Sequence, residues 1–436
     1  MASEEQTADP ILNFNSRTAS LALVLAVLVT TGILGVPAAP AQTYTILHNF
    51  SGGDGANPYA GLTMDRAGNL YGTTEYGGTH ICFQTENLGC GTVFKLTHGG
   101  SGWVFSELYD FTGGTDEGYP QARVVFGPDG TLYGTTGNGG LGGAGGPGTV
   151  FNLRPPARPC KSVSCPWTET VLFAFSVDAG WIPLGDLAFD AAGDIYGTTE
   201  VGGKYQNGVV YELTGSGGVW TESILWNFTG GADGGQPTSG VIFDRAGNLY
   251  GTVPTNNYQG NTLGLVYELV PSGTGWTEKA LYYFQGSDDG AYPYAGLLFD
   301  AAGNLYGAAR NEGANNGGTA FRLTPVEGNW SLATLYGFAE GRGYWGPVQA
   351  LAMDSAGNLY GATSTDGAYG HGAVFKLTPS NGGWVYTSLH DFGGDGYFPN
   401  GNLAVDASGN IYGTTYSGGN YGCGGDGCGV VFEITP

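Results

Sequence analysis

Positive charge is scarce in this chain. Lys and Arg number 14 of 436 residues against 37 Asp and Glu, for a net charge of −23. Such an acidic surface repels phosphate backbones, so nucleic acid is disfavoured as a partner. Helical periodicity is missing: no internal window repeats apolar residues at helical spacing, and Gly and Pro interrupt every long segment. Beyond the N-terminal region, no stretch approaches the roughly 20 apolar residues that a membrane span needs. Signatures of catalysis are lacking too. There is no Gly-x-Ser-x-Gly elbow and no phosphate-binding glycine loop, and His48, His80, His98, His371 and His390 recur in no motif. Cysteine is limited to three close pairs: Cys82 with Cys90, Cys160 with Cys165, and Cys423 with Cys428. Each pair lies in a loop between strand-like runs, so three local disulfides are expected. None has Cys-x-x-Cys spacing and no His stands at ligand distance, which argues against zinc.

Glycine, in contrast, is abundant, with 83 residues that have no period of three and cluster between strand-like runs. Aromatic residues make up 13% of the chain, too many for a disordered polymer. Seven times a phrase returns: Asn69-Leu70-Tyr71-Gly72, Thr131-Leu132-Tyr133-Gly134, Asp194-Ile195-Tyr196-Gly197, Asn248-Leu249-Tyr250-Gly251, Asn304-Leu305-Tyr306-Gly307, Asn358-Leu359-Tyr360-Gly361 and Asn410-Ile411-Tyr412-Gly413. The Tyr-to-Tyr steps are 62, 63, 54, 56, 54 and 52 residues, a period that defines a repeat architecture.

One unit shows how each repeat is built. Strand a is the apolar run Gly296 to Asp300, whose consecutive apolar residues predict burial on both faces. Ala301-Ala302-Gly303 turns the chain, with Gly303 placed for the left-handed position, and strand b starts at Asn304. Strand c is Gly318 to Leu323 and strand d is Trp330 to Phe338. Such a unit is a four-stranded antiparallel meander. Strand c occurs seven times, but strand d follows it only six times; the remaining copy is Thr43 to Phe50, ahead of the first strand a. Complementary ends predict an all-β, seven-bladed β-propeller, closed by the N-terminal strand joining the C-terminal blade.

Ala19 to Val36 is nearly continuous apolar sequence, and Ala39-Pro40-Ala41 supplies small residues for cleavage before Gln42. Residues 1–41 are therefore expected to be a signal peptide or an N-terminal signal anchor, and residues 42–436 the propeller. The flank before the apolar run is atypical, with Glu4, Glu5 and Asp9 against Arg17. Export to the extracellular space or cell surface is expected, with membrane attachment only through an uncleaved N-terminal segment.

In a meander propeller, the d-to-a connections and b-to-c loops share one face. The a-to-b turns are short and uniform, which marks scaffold; the b-to-c loops vary, which marks binding. Directly after strand b stand Glu75, Gly137, Glu200, Pro254, Arg310, Ser364 and Tyr416. The d-to-a connections repeat an Asp and a Pro, as in Asp54 with Pro58 and Asp289 with Pro293, and add aromatic rings. The candidate ligand-binding rim is Glu75, Glu200, Arg310, Tyr416, Tyr59, Trp181, Tyr294, Trp345 and Tyr397. Rings with carboxylates suit a carbohydrate; the competing explanation is that the repeated Asp, Pro and rings simply build turns. Each loop offers too few carboxylates for calcium, so no cofactor or metal is expected, structural calcium being the one alternative. Glu75 and Glu200 are a conceivable acid and base.

The repeated Asp-x-x-Gly-Asn-Leu-Tyr-Gly-Thr-Thr, the Gly-Thr-Val-Phe-Lys-Leu-Thr and the Trp-Thr-Glu-x-x-Leu-Tyr-x-Phe segments resemble the bacterial GloVer tandem repeats of choice-of-anchor exported proteins, over about Thr43 to Pro436. A looser similarity to NHL-type propellers rests on the Asp-x-x-Gly-Asn turn. The resemblance implies export and surface display but brings no catalytic residues. Members often carry a C-terminal sorting signal; this chain ends on its last strand, so it reads as secreted. The expected function is a monomeric, exported binding module for glycan or protein. Alternatives are an extracellular polysaccharide hydrolase or lyase with its site at the channel mouth, and a purely structural surface protein.

Overall fold

A computed structural model describes residues 42–82, 89–100, 102–137, 146–157, 167–255, 263–273, 275–339, 346–420 and 422–436. The expected signal segment, residues 1–41, lies outside them, as do Trp345 and the Cys160 and Cys165 pair. Thr43–Thr435 form one compact unit. Among the described residues, the strands form seven antiparallel sheets of four, and the only helix is a single turn at Cys423–Gly425. The chain is an all-β, seven-bladed propeller. In six blades the strands follow chain order. In the seventh, strands Ala404–Val405, Ile411–Thr415 and Val430–Thr435 are completed by the N-terminal strand Thr43–Asn49, which pairs antiparallel with Val430–Thr435.

The recurring phrase builds the inner hairpin of each blade. In blade five, the Asp300 carboxylate accepts hydrogen bonds from Ala302 N (2.9 Å), Asn304 N (2.9 Å), Asn304 Nδ2 (2.7 Å) and the Tyr306 hydroxyl (3.2 Å). Asp65, Asp244, Asp354 and Asp406 repeat that arrangement. One side chain thus satisfies the amide groups that a tight turn would leave unpaired. The Gly after each Tyr has a different cause. It pairs across strands with the aromatic residue of strand c, as Gly307 does with Phe321. A Cβ at Gly72, Gly134, Gly307, Gly361 or Gly413 would fall 2.5 to 2.6 Å from the Cζ of the ring beside it. The ring therefore occupies the space of the missing side chain, which makes the packing dense.

The first Thr of the Thr-Thr pair ties one blade to the next. Thr73 Oγ1 donates to Ala122 O (3.1 Å), Thr198 to Ser239 O (2.8 Å), Thr252 to Ala295 O (3.0 Å) and Thr414 to Ala60 O (2.9 Å). The last of these crosses the closure between blades seven and one.

One expectation needs correction. The strand buried on both faces is b, not a: every residue of Leu305–Ala309 is buried, whereas strand a is only Leu298–Phe299 and is half-buried. Strand a faces the central channel, and its apolar character continues from the buried Leu297 beside it.

Candidate functional site

The channel holds a cavity of about 510 Å³. Two sets of equivalent positions reach it. The first is the residue after the Pro of each d-to-a connection, represented by Tyr59, Gln121, Leu184, Thr238, Tyr294 and Val348. The second is the residue after strand b, represented by Glu200 and Arg310. Backbone geometry at these positions repeats, while side-chain chemistry differs from blade to blade.

Glu75 belongs to the second set and stands directly behind the lining. Gln121 Nε2 donates to its Oε1 at 2.6 Å. Burial pushes its carboxyl above the ordinary range, and hydrogen bonds from Gln121, Tyr76 and Tyr416 partly offset this. The Tyr416 ring meets Tyr59 edge-on, with centroids 6.1 Å apart. Burial also raises the Glu200 carboxyl. The Arg310 guanidinium carbon lies 4.9 Å from the Tyr294 ring centroid. Burial lowers its pKa, opposed by the phenols of Tyr294 and Tyr59. Tyr59 joins these groups electrostatically: burial raises its pKa first, and the fields of Glu75, Arg310, Tyr294 and Glu200 all act on it. Glu75, Glu200, Arg310, Tyr416, Tyr59 and Tyr294 thus gather at one mouth.

Trp181 and Tyr397 do not line the cavity. They lie two residues before their Pro, where the backbone pairs with the b-to-c loop at Val201 and Ser417 respectively. Trp181 Nε1 donates to Gly146 O at 3.3 Å, and Tyr397 packs edge-on against His371 at 4.5 Å. Both rings hold loops in place.

The repeated aspartates of the d-to-a connections are also structural. Asp116 accepts from Thr112 N (2.8 Å) and the Tyr109 hydroxyl (2.9 Å), and Asp289 from Gln285 N (2.9 Å) and the Tyr282 hydroxyl (2.8 Å). Asp54 and Asp395 do the same with His48 (3.0 Å) and His390 (2.8 Å). Each carboxylate locks the end of strand d to its own turn. Among the described residues, no three His, Cys, Asp or Glu side chains converge as a metal centre requires. Two local disulfides are formed, Cys82–Cys90 and Cys423–Cys428.

Sequence reasoning missed the layer below the mouth. Arg123 Nε and Nη2 meet Asp186 Oδ2 at 2.9 and 2.8 Å. Asn402 Nδ2, from blade seven, donates to the same oxygen at 3.2 Å, and its Oδ1 accepts from Ala350 N at 2.9 Å. This polar bar links blades three and seven across the lumen. Its signal was present: the position three after each Pro reads Gly61, Arg123, Asp186, Gly240, Gly296, Ala350 and Asn402, as varied as the mouth.

The family model for the Gloeobacter/Verrucomicrobia repeat matches residues 36–165 and 142–351. This chain belongs to the Gloeobacter/Verrucomicrobia repeat family. No curated protein matches it. Solved structures similar to this repeat protein include the PQQ-bound aldose sugar dehydrogenase of Streptomyces coelicolor, at 11% identity and TM-score 0.46, covering 92% of this chain and 100% of that one. A luciferin-regenerating enzyme matches at 12% identity and TM-score 0.43, covering 91% and 96%. A protein of unknown function from Dyadobacter fermentans matches at 12% identity and TM-score 0.43, covering 91% and 100%. Similarity at this level transfers no activity.

Proposed function

We propose that this repeat protein is an exported, secreted or surface-displayed propeller that binds glycan at its channel mouth. One observation carries the reading: positions that differ between the repeats converge on a single cavity, above a scaffold that hardly varies. Tyr59 and Tyr294 offer ring faces for sugar C–H surfaces. Gln121, Thr238 and Glu200 offer hydrogen-bonding groups for hydroxyls, with Glu75 fixing Gln121 from behind. An apolar wall with a few oriented polar groups is the usual composition of a small-ligand site, and the cavity volume falls in the usual range. The two local disulfides suit an oxidising compartment, as does the apolar N-terminal run of the sequence. A glycan-array screen of the folded protein tests the reading: binding to at least one glycan class is expected, and a blank array overturns it.

A second reading has its own support. Glu75 and Glu200 stand at one mouth, both pushed above the ordinary carboxyl range by burial. Carboxyls with raised proton affinity are the raw material of acid–base cleavage of polysaccharide. Product release from polysaccharides by the wild type, lost in Glu200→Gln while binding survives, would select hydrolysis or elimination over simple binding.

A further inference from the structure

We propose that the cavity takes a glycoside with an apolar aglycone, the sugar held at the mouth and the aglycone running down the lumen to Ile242. This inference rests on the glycan reading above and narrows it to a ligand class. After the Pro of each d-to-a connection, alternate residues face the lumen, and three storeys result. In blade three they are Leu184, Asp186 and Ala188, and in blade four Thr238, Gly240 and Ile242; all six line the cavity. The residue between the lower two storeys is buried in every blade, as Leu187 and Val241 are in their core clusters.

Polarity falls from storey to storey. The upper one carries Tyr59, Gln121, Thr238 and Tyr294, with Glu200 and Arg310 beside them. The middle one is divided. Arg123 and Asn402, from blades two and seven, both bond to Asp186 of blade three and fill one side. Blades four, five and six contribute Gly240, Gly296 and Ala350, whose side chains do not extend past Cβ. That side of the lumen is a shaft alongside the polar bar. The lower storey is Val125, Ala188, Ile242, Leu298, Ala352 and Ala404, with Thr63 completing the ring. Each starts a strand a and is half-buried. The ring carries no charge, and the Thr63 hydroxyl is turned to Val124 O. The cavity descends to this ring, since Ala188, Ile242 and Phe243 line it together with the mouth residues. A second sugar in the shaft would press hydroxyls against apolar walls, which costs their desolvation. An alkyl or aryl group there gains from burial of its apolar area.

The test is calorimetric titration of the full chain with methyl, propyl and pentyl glycosides of glucose, galactose and N-acetylglucosamine. In at least one sugar series, affinity is expected to rise about threefold to fourfold for each methylene added, the effect of taking that group out of water. Two variants locate the tail. Gly296 has no left-handed φ, and an added Cβ would lie 3.4 Å from Ala350 Cβ, so Leu fits there and projects into the shaft. Gly296→Leu should keep binding of the methyl glycoside and abolish the rise with chain length. Ile242→Ser, at the lower ring, should reduce the rise for the longest member. Equal affinity along every series overturns the inference while leaving the glycan reading intact. So does a rise that survives in Gly296→Leu or, should that variant not fold, one that is unchanged in Ile242→Ser. Binding of no glycoside by a protein with an intact melting transition overturns both.

Discussion

Two glycines in blade five make opposite demands, and substituting each by Ala separates them. Gly303 sits at φ +87° in the a-to-b turn with nothing within 4 Å of an added Cβ. Gly307 has an ordinary φ, but an added Cβ would lie 2.6 Å from Phe321 Cζ and 2.9 Å from Leu297 Cδ2. Carbon atoms pack at about 3.5–4.0 Å, so the Phe321 ring would have to retreat by about 1 Å. It has nowhere to go: Phe321 is fully buried, with the Phe284 ring at 5.2 Å. Gly307→Ala should therefore cost about 1–3 kcal/mol as overpacking, and Gly303→Ala about 1 kcal/mol as left-handed backbone strain. Phe321→Leu removes the clashing atom at a cost of about 1–2 kcal/mol. Denaturant midpoints of the single and paired variants give the coupling. Gly307→Ala with Phe321→Leu should lose about 1 kcal/mol less than the sum of the singles, while Gly303→Ala with Phe321→Leu should be additive. Additivity in the Gly307 pair would refute the idea that the seven Tyr-Gly steps exist to seat the strand c ring.

Three further outcomes are expected. Thr414→Val removes the bond to Ala60 O across the ring closure and should lower stability by about 1–2 kcal/mol in unfolding titrations, because it leaves a buried carbonyl unpaired. Reducing Cys82–Cys90, which closes a loop with a sequence separation of 8, should cost about 2–3 kcal/mol by chain entropy, read as a shift in the unfolding midpoint with and without reductant. Stability should peak between about pH 4 and 5. Burial raises Glu117, Glu169, Glu222 and Glu278 from 4.5 to about 7, so the folded state holds their protons more tightly and loses stability as pH climbs through that interval. Asp54 works in the other direction. Burial would raise it, but hydrogen bonds from His48 and Ser51 prevail and bring it from 3.8 down to about 2, so its contribution is lost as pH falls through that range. Melting temperatures across pH, with the alkaline slope reduced in Glu222→Gln and Glu278→Gln, check the signs.

Most of the scaffold could be read from the chain because its causes are local. The turn Asp, the Gly at positive φ and the cross-strand Gly–Phe pair each act within one hairpin, so they recur as a visible phrase. Ring closure was legible from the count of strands, since Thr43–Asn49 supplies the outer strand that blade seven would otherwise lack. The burial of strand a was misjudged because a channel at the axis is a property of seven blades together, not of any one. The site was half legible for the same reason. Glu200 and Arg310 stood out by breaking a repeat at a fixed offset, and Glu75 and Tyr416 did so beside them. Trp181 and Tyr397 were chosen for being aromatic, but they lie one step outside the lining. Arg123, Asp186 and Asn402 escaped notice because their partnership joins blades two, three and seven, residues up to 216 positions apart.

The most direct measurement compares two double variants on a glycan array: Tyr59→Ala with Glu200→Gln in the cavity, and Trp181→Ala with Tyr397→Ala at the loops outside it. If the positions that differ between repeats form the binding site, the first variant loses the glycan signal and the second keeps it, with both melting as folded proteins. Retention of the signal by the cavity variant would contradict the account.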